Sequence, residues 1–202
     1  MQREIIAILR GITPDQAEEV ATVLIDAGIS KIEVPLNSPQ PFDSIQKILK
    51  IAGERAIVGA GTVLTVEDVQ QLSSIGGQMV VSPDCNPEVI AATKAIGMLS
   101  YPGVMTPSEC FAALRAGADG LKLFPASLIG TAGLSAMRAV LPEGTKTYAV
   151  GGAGPDNFAQ WQQAGAAGFG IGTAIFKPGF STDEVAKRAQ EIVAAYDRAY
   201  GA

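Results

Sequence analysis

Hydrophobic and polar positions recur along this chain in a fixed order. A short apolar run comes first, then a turn, then a longer stretch with apolar residues at helical spacing that ends near a glycine. The unit returns about every 20 to 25 residues, and eight apolar runs are present. They are IIAIL (5–9), KIEVPL (31–36), AIVGAG (56–61), QMVVS (78–82), MLSYP (98–102), GLKLF (120–124), TYAVG (147–151) and GFGIG (168–172). Runs this short, bounded by turn residues, read as buried strands. The stretches between them open on helix-start signals. Thr13-Pro14-Asp15-Gln16 and Thr106-Pro107-Ser108-Glu109 read as capping boxes with proline in the first turn. Asn86-Pro87 reads as a further cap, and Thr65 to Asp68 and Ser181 to Glu184 share the box spacing. Gly28, Gly53, Gly76, Gly97, Gly117 and Gly165 fall where those helices should stop.

Strands alternating with helices imply parallel strands joined by right-handed crossovers. Eight such units without a break in composition predict one α/β domain over residues 1–202, a single closed (β/α)8 TIM barrel. The competing arrangement is an open doubly wound sheet. That fold uses fewer strands and often carries G-x-G-x-x-G after the first one, whereas here the first run passes into Arg10-Gly11-Ile12-Thr13. In a barrel the chemistry lies at the C-terminal ends of the strands, so the residues that close each apolar run are the ones to weigh.

Composition removes several kinds of chemistry. The chain has no histidine, which excludes a Ser-His-Asp triad, a Cys-His pair and a histidine-ligated metal. Cys85 and Cys110 lack metal-ligand spacing and read as two reduced thiols. A net charge of −5 disfavours nucleic acid and anionic membrane as partners, while leaving an anionic small ligand open, because local fields need not follow net charge. No apolar run approaches the ~18 residues of a membrane span. The start, MQREIIAILRG, lacks the apolar length and cleavage site of a signal peptide. The expectation is a soluble cytoplasmic protein.

Side chains alternate along a strand. In the sixth run Leu121 and Leu123 share the face that suits packing on the outer helices, which turns Lys122 and Phe124 toward the barrel interior. Lysine is rarely buried without a partner. Lys122 is therefore either a lysine that snorkels to solvent or one whose pKa is lowered by desolvation, neutral often enough to attack a carbonyl. In the second run Glu33 points inward between Ile32 and Val34. It is either a structural partner for a cation or, with no histidine available, the best general acid/base in the chain. Arg10 closes the first run, inward by alternation with Ile6 and Ile8, and suits a carboxylate or phosphate; an ion pair with Glu33 is the other possibility. The last two strands end in the glycine clusters AVGGAGPDN (149–157) and GFGIGTAIF (168–176). Barrels commonly bind phosphate in the loops after strands 7 and 8, where glycine lets an anion approach backbone amides.

The segments LRGITPDQA, EVPLNSPQ, VGAGTVL, LKLFPAS and AVGG with the following Asn157 resemble the pyruvate-dependent class I aldolases that act on 2-keto-3-deoxy-6-phospho-sugar acids. The resemblance runs from residue 5 to about 177 and is nearer to the galactonate branch. The gluconate branch usually carries arginine four residues after the catalytic glutamate and threonine just before the Gly-Gly of strand 7. Here those positions are Asn37 and Val150. Thr173 stands where relatives often have serine. The resemblance implies Lys122 as Schiff-base nucleophile and Glu33 as proton shuttle. It implies Arg10 and Thr62 at the pyruvyl carboxylate, Gly151, Gly152, Gly172 and Thr173 at the phosphate, and Pro83 and Phe124 along the pocket. Val150 is the expected epimer-sensing position. It also implies a homotrimer with no metal or other cofactor, acting on a small phospho-sugar acid and pyruvate. Three rival readings remain: the same cleavage of the gluconate epimer or of 4-hydroxy-2-oxoglutarate, a non-catalytic phospho-sugar binding barrel, and a phosphosugar isomerase or epimerase. Retention of both Lys122 and Glu33 speaks against the second. The third class relies on histidine, a carboxylate pair or a metal.

Overall fold

The computed structural model describes residues 3–201. Its parallel strands are β1 (Ile5–Ile8), β2 (Lys31–Pro35), β3 (Ile57–Gly61), β4 (Met79–Val81), β5 (Leu99–Tyr101), β6 (Gly103–Val104), β7 (Leu121–Leu123), β8 (Thr147–Val150) and β9 (Gly168–Ile171). They are hydrogen-bonded in the order β5-β4-β3-β2-β1-β9-β8-β7-β6. β5 and β6 are one stretch of chain interrupted at Pro102, so the two ends of that order are joined covalently and the sheet wraps round on itself. The strand therefore breaks where the fifth apolar run ends, at Pro102, and resumes beyond it as β6, because proline has no N–H to continue a ladder. Its carbonyl still accepts from Lys122 N at 2.9 Å, which ties the break to the strand that carries the lysine. Nine segments thus occupy eight barrel positions.

The connecting helices are α1 (Pro14–Asp26), α2 (Pro41–Ala52), α3 (Val66–Ser74), α4 (Pro87–Ala95), α5 (Pro107–Arg115), α6 (Ala126–Arg138), α7 (Phe158–Gln163) and α8 (Thr182–Tyr200). Thr65 with Asp68 and Thr106 with Glu109 form full capping boxes, and Ser181 and Asn86 accept at the starts of α8 and α4. A cap of this kind is worth about 0.5–2 kcal/mol. Thr13 departs from the expected box. It makes no capping hydrogen bond to the helix backbone, and Pro14 alone prepares the start of α1.

Alternation sorts the strand side chains as a filled barrel requires. Ile5, Ala7, Ile32, Val34, Leu121, Leu123, Ala149, Phe169 and Ile171 pack outward into the main core beneath the helices. Ile6, Ile8, Met79, Val81, Tyr101, Tyr148 and Val150 form a separate inner cluster. The N-terminal end of the barrel is closed by charge. Glu4 receives the ammonium of Lys31, Lys146 Nζ at 2.8 Å and the Tyr148 hydroxyl at 2.8 Å. Burial pushes the Glu4 carboxyl upward, but Lys146 and Lys31 outweigh it and hold the group below its ordinary value. Among the described residues no helix is long and apolar enough to cross a membrane.

Candidate active site

A cavity of about 700 Å3 opens at the C-terminal ends of the strands. Its size falls within the usual range for a small-molecule site. Ten of the residues singled out above line it: Arg10, Thr62, Pro83, Lys122, Phe124, Val150, Gly151, Gly152, Gly172 and Thr173. Glu33 does not reach the wall. It lies just beneath, only 1 % exposed, on the same interior face of the barrel.

Lys122 is 6 % exposed and has no ion-pair partner among the described residues. Its Nζ sits 4.9 Å from the centroid of the Phe124 ring. Burial lowers its pKa, the charge of Glu33 pulls it partly back, and Arg10 lowers it further. Glu33 mirrors this: burial pushes its carboxyl up to about 7 against the opposing pull of Lys122 and Arg10. The two groups are near enough for each charge to bear on the other, yet they form no salt bridge, and Glu33 Oε2 is buried without a hydrogen-bond partner. An orphaned buried carboxylate oxygen is costly, and perturbed groups facing one another in a cleft are the common mark of an acid/base site. The interior also holds Lys31, 4 % exposed on the same face of β2 as Glu33. Lys31 is ion-paired to Glu4 at the floor and does not line the cavity, which leaves Lys122 as the buried amine open to a ligand.

Close approach at Glu33 depends on Gly61. A Cβ on Gly61 would fall on the place the Glu33 carboxylate now occupies, so glycine on the strand that pairs with β2 leaves room for it there. The next residue, Thr62, has φ +55°, a left-handed conformation that β-branched residues strongly avoid. It costs on the order of 1–3 kcal/mol, and such strain concentrates at functional sites. The strain aims Thr62 into the cavity at the end of β3.

Arg10 departs from its expected place. β1 ends at Ile8, so alternation no longer governs residue 10, and Arg10 stands exposed at the rim instead of inside the barrel. Its partner is Asn37 Oδ1, at 2.5 Å from Nη1, and it makes no ion pair with Glu33. Beside it, Gly11 N donates to the buried Ser38 hydroxyl at 2.9 Å, which ties the loop after β1 to the loop after β2. At the end of β8, Gly151 and Gly152 have φ +85° and +93°. Asn157 shapes their loop, accepting from Gly154 N at 3.0 Å and donating to the Gly152 carbonyl at 2.9 Å. Val150 packs across the bare α-carbon of its register partner Gly170, where a Cβ would lie 2.7 Å from Val150 Cγ2.

No individual role was legible in the sequence for Gly61, Ala153, Asp156, Phe176 or Lys177; all but the first line the cavity, and Ala153, Asp156 and Phe176 fall within the two glycine clusters after β8 and β9. Gly61 was visible only as part of VGAGTVL (58–64), and nothing in the periodicity marks a lysine at residue 177.

A family model for KDPG and KHG aldolases matches residues 1–192, and the chain belongs to that family. A Rhizobium meliloti (strain 1021) protein named as a probable 2-dehydro-3-deoxy-6-phosphogalactonate aldolase is 48% identical over 201 residues, covering 100% of this chain and 95% of the relative. An Escherichia coli (strain K12) protein named 2-dehydro-3-deoxy-6-phosphogalactonate aldolase is 46% identical over 195 residues, covering 96% and 95%. A solved structure described as native KDPGal superposes with a TM-score of 0.98 at 44% identity, covering 100% of this chain and 98% of the other.

Proposed function

We propose that this chain cleaves 2-dehydro-3-deoxy-6-phosphogalactonate to pyruvate and glyceraldehyde 3-phosphate, with Lys122 forming the Schiff base and Glu33 moving the protons. One observation carries the reading: an unpaired buried lysine with a lowered pKa shares the barrel interior with a carboxyl raised to about 7. The neutral amine of Lys122 attacks the C2 ketone, and loss of water gives an iminium that accepts electrons. The ionised Glu33 takes the C4 hydroxyl proton as the C3–C4 bond breaks. Glyceraldehyde 3-phosphate leaves, and the bonding pair remains as an enamine on C3. Glu33 returns its proton to C3, and hydrolysis of the resulting iminium frees pyruvate and Lys122. Because Glu33 lies beneath the wall, a bridging water carries each proton. Arg10 and the strained Thr62 hold the carboxylate; the amides of Gly151, Gly152 and Gly172, with Thr173, hold the phosphate. A phospho-sugar barrel without catalysis would have no use for an orphaned carboxylate oxygen beside an unpaired amine.

The two epimeric substrates differ at C4, and Val150 is the residue that separates them. An apolar wall discriminates by only about 1–3 kcal/mol, whereas a positioned hydroxyl rejects a misplaced group far more strongly. Val150 is 7 % exposed and offers no donor. Val150→Thr has nearly the same shape and is expected to move the ratio of kcat/KM values toward the gluconate epimer by roughly 10-fold or more. Turnover of both epimers by wild type and variant decides it; an unchanged ratio places epimer choice elsewhere, with Asn37 next to test.

The assembly is a homotrimer. Its support lies in apolar side chains left uncovered beyond the C-terminal ends of β3, β6 and β7: Leu64 at 47 %, Met105 at 44 % and Leu128 at 71 % exposed. Leu128→Asp is expected to shift sedimentation from trimer to monomer. A wild-type monomer at micromolar concentration would contradict the assembly. A cytoplasmic setting fits the two free thiols, Cys85 and Cys110.

A further inference from the structure

On the reading above the substrate carries a phosphate dianion, and glycine amides supply only partial positive charge against it. We propose that Lys177 is the cation that meets this phosphate. The cavity wall contains three cationic side chains, Arg10, Lys122 and Lys177. Lys122 must be neutral to act, and Arg10 is committed to Asn37 at the carboxylate end. Lys177 is exposed, and its ammonium has no hydrogen bond or ion pair among the described residues. It stands on the loop after β9 that also brings Gly172 and Thr173 to the cavity.

That loop is fixed from behind. Arg188 of α8 donates from Nη1 to the Ala174 carbonyl at 3.3 Å, lies 4.6 Å from the Phe180 ring centroid, and donates from Nε to Glu184 at 2.6 Å. Phe180 N donates to the Lys177 carbonyl at 3.1 Å. On the other side Pro178 presses on Gly11, where a Cβ would lie 2.8 Å from Pro178 Cγ. Lys177 is thus a free ammonium on a held backbone. Asp156 adds to the need for it. This exposed carboxyl lines the same wall beside the glycine loop, and the chain as a whole carries −5, so both fields oppose an incoming anion.

The test runs the reaction in the condensation direction, pyruvate with either glyceraldehyde 3-phosphate or glyceraldehyde. A charge-assisted contact of this kind is worth about 10- to 100-fold in affinity. Lys177→Met is expected to raise the KM for glyceraldehyde 3-phosphate by that factor with kcat nearly unchanged. The kcat/KM for glyceraldehyde and the borohydride trapping of pyruvate on Lys122 should not move. Lys177→Arg should restore most of the loss. An unchanged KM for the phosphorylated aldehyde, or equal losses on both aldehydes, overturns the assignment. Weakened pyruvate trapping would place Lys177 at the carboxylate and overturn it as well. A wild-type enzyme that takes glyceraldehyde as readily as its phosphate contradicts the phospho-sugar reading itself, and with it the role of Lys177.

Discussion

Lys122→Met is expected to leave a folded barrel that turns over nothing measurable. Removal of a covalent nucleophile can cost on the order of 10⁶-fold in kcat. The methionine fills nearly the same volume and removes a buried, unpaired amine, so the melting temperature should hold or rise. Lys122→Arg tests the same point from the other side. It keeps a cation in place, but a guanidinium stays protonated and cannot attack a ketone. Activity within tenfold of wild type in Lys122→Met, with the fold intact by circular dichroism, would remove Lys122 from the chemistry. Lys31 would not be a credible replacement, because it is ion-paired to Glu4 at the far end of the barrel.

Glu33→Gln is expected to lower kcat by about 10²–10⁴-fold, the usual worth of a general acid/base. Pyruvate should still form its adduct on Lys122, so C–C cleavage and adduct formation separate. The same variant has a signature in stability. A carboxyl raised from 4.5 to about 7 by burial binds its proton more tightly in the folded state. Wild-type stability from this group is therefore fully present below about pH 4.5 and is lost as pH rises through about 7. The shift amounts to roughly 3 kcal/mol. Glu33→Gln cannot ionise, so its stability should lack that fall and exceed wild type above pH 7. Denaturant melts at pH 5 and pH 8 check the sign. Near-full activity together with an unchanged pH dependence would make Glu33 a packing residue.

Most of this architecture was legible because a barrel writes itself into the chain as repeated strands, caps and stops. Gly28, Gly97 and Gly165 end their helices at φ +93°, +79° and +97° as their spacing implied. Alternation also sorted Lys122 from its neighbouring leucines, since that rule needs only a continuous strand. It failed at Arg10, two residues past the end of β1, where the loop and Asn37 decide direction. The fifth apolar run stops at Pro102, yet the chain rejoins the sheet beyond the proline as β6, a return that the apolar pattern does not mark. Gly61 meets Glu33 across paired strands, Thr62 takes its left-handed conformation where β3 ends, and Lys177 reaches the cavity from the loop after β9. Local pattern carries no record of them.

The proposed chemistry turns on a buried neutral amine at one position that makes the covalent bond to substrate. Borohydride reduction in the presence of pyruvate, followed by peptide mapping, tests it most directly. One stable pyruvate-derived adduct per chain is expected, located on Lys122 and absent from Lys122→Met. A reduced adduct on any other lysine, or none at all while the enzyme turns over, would contradict it.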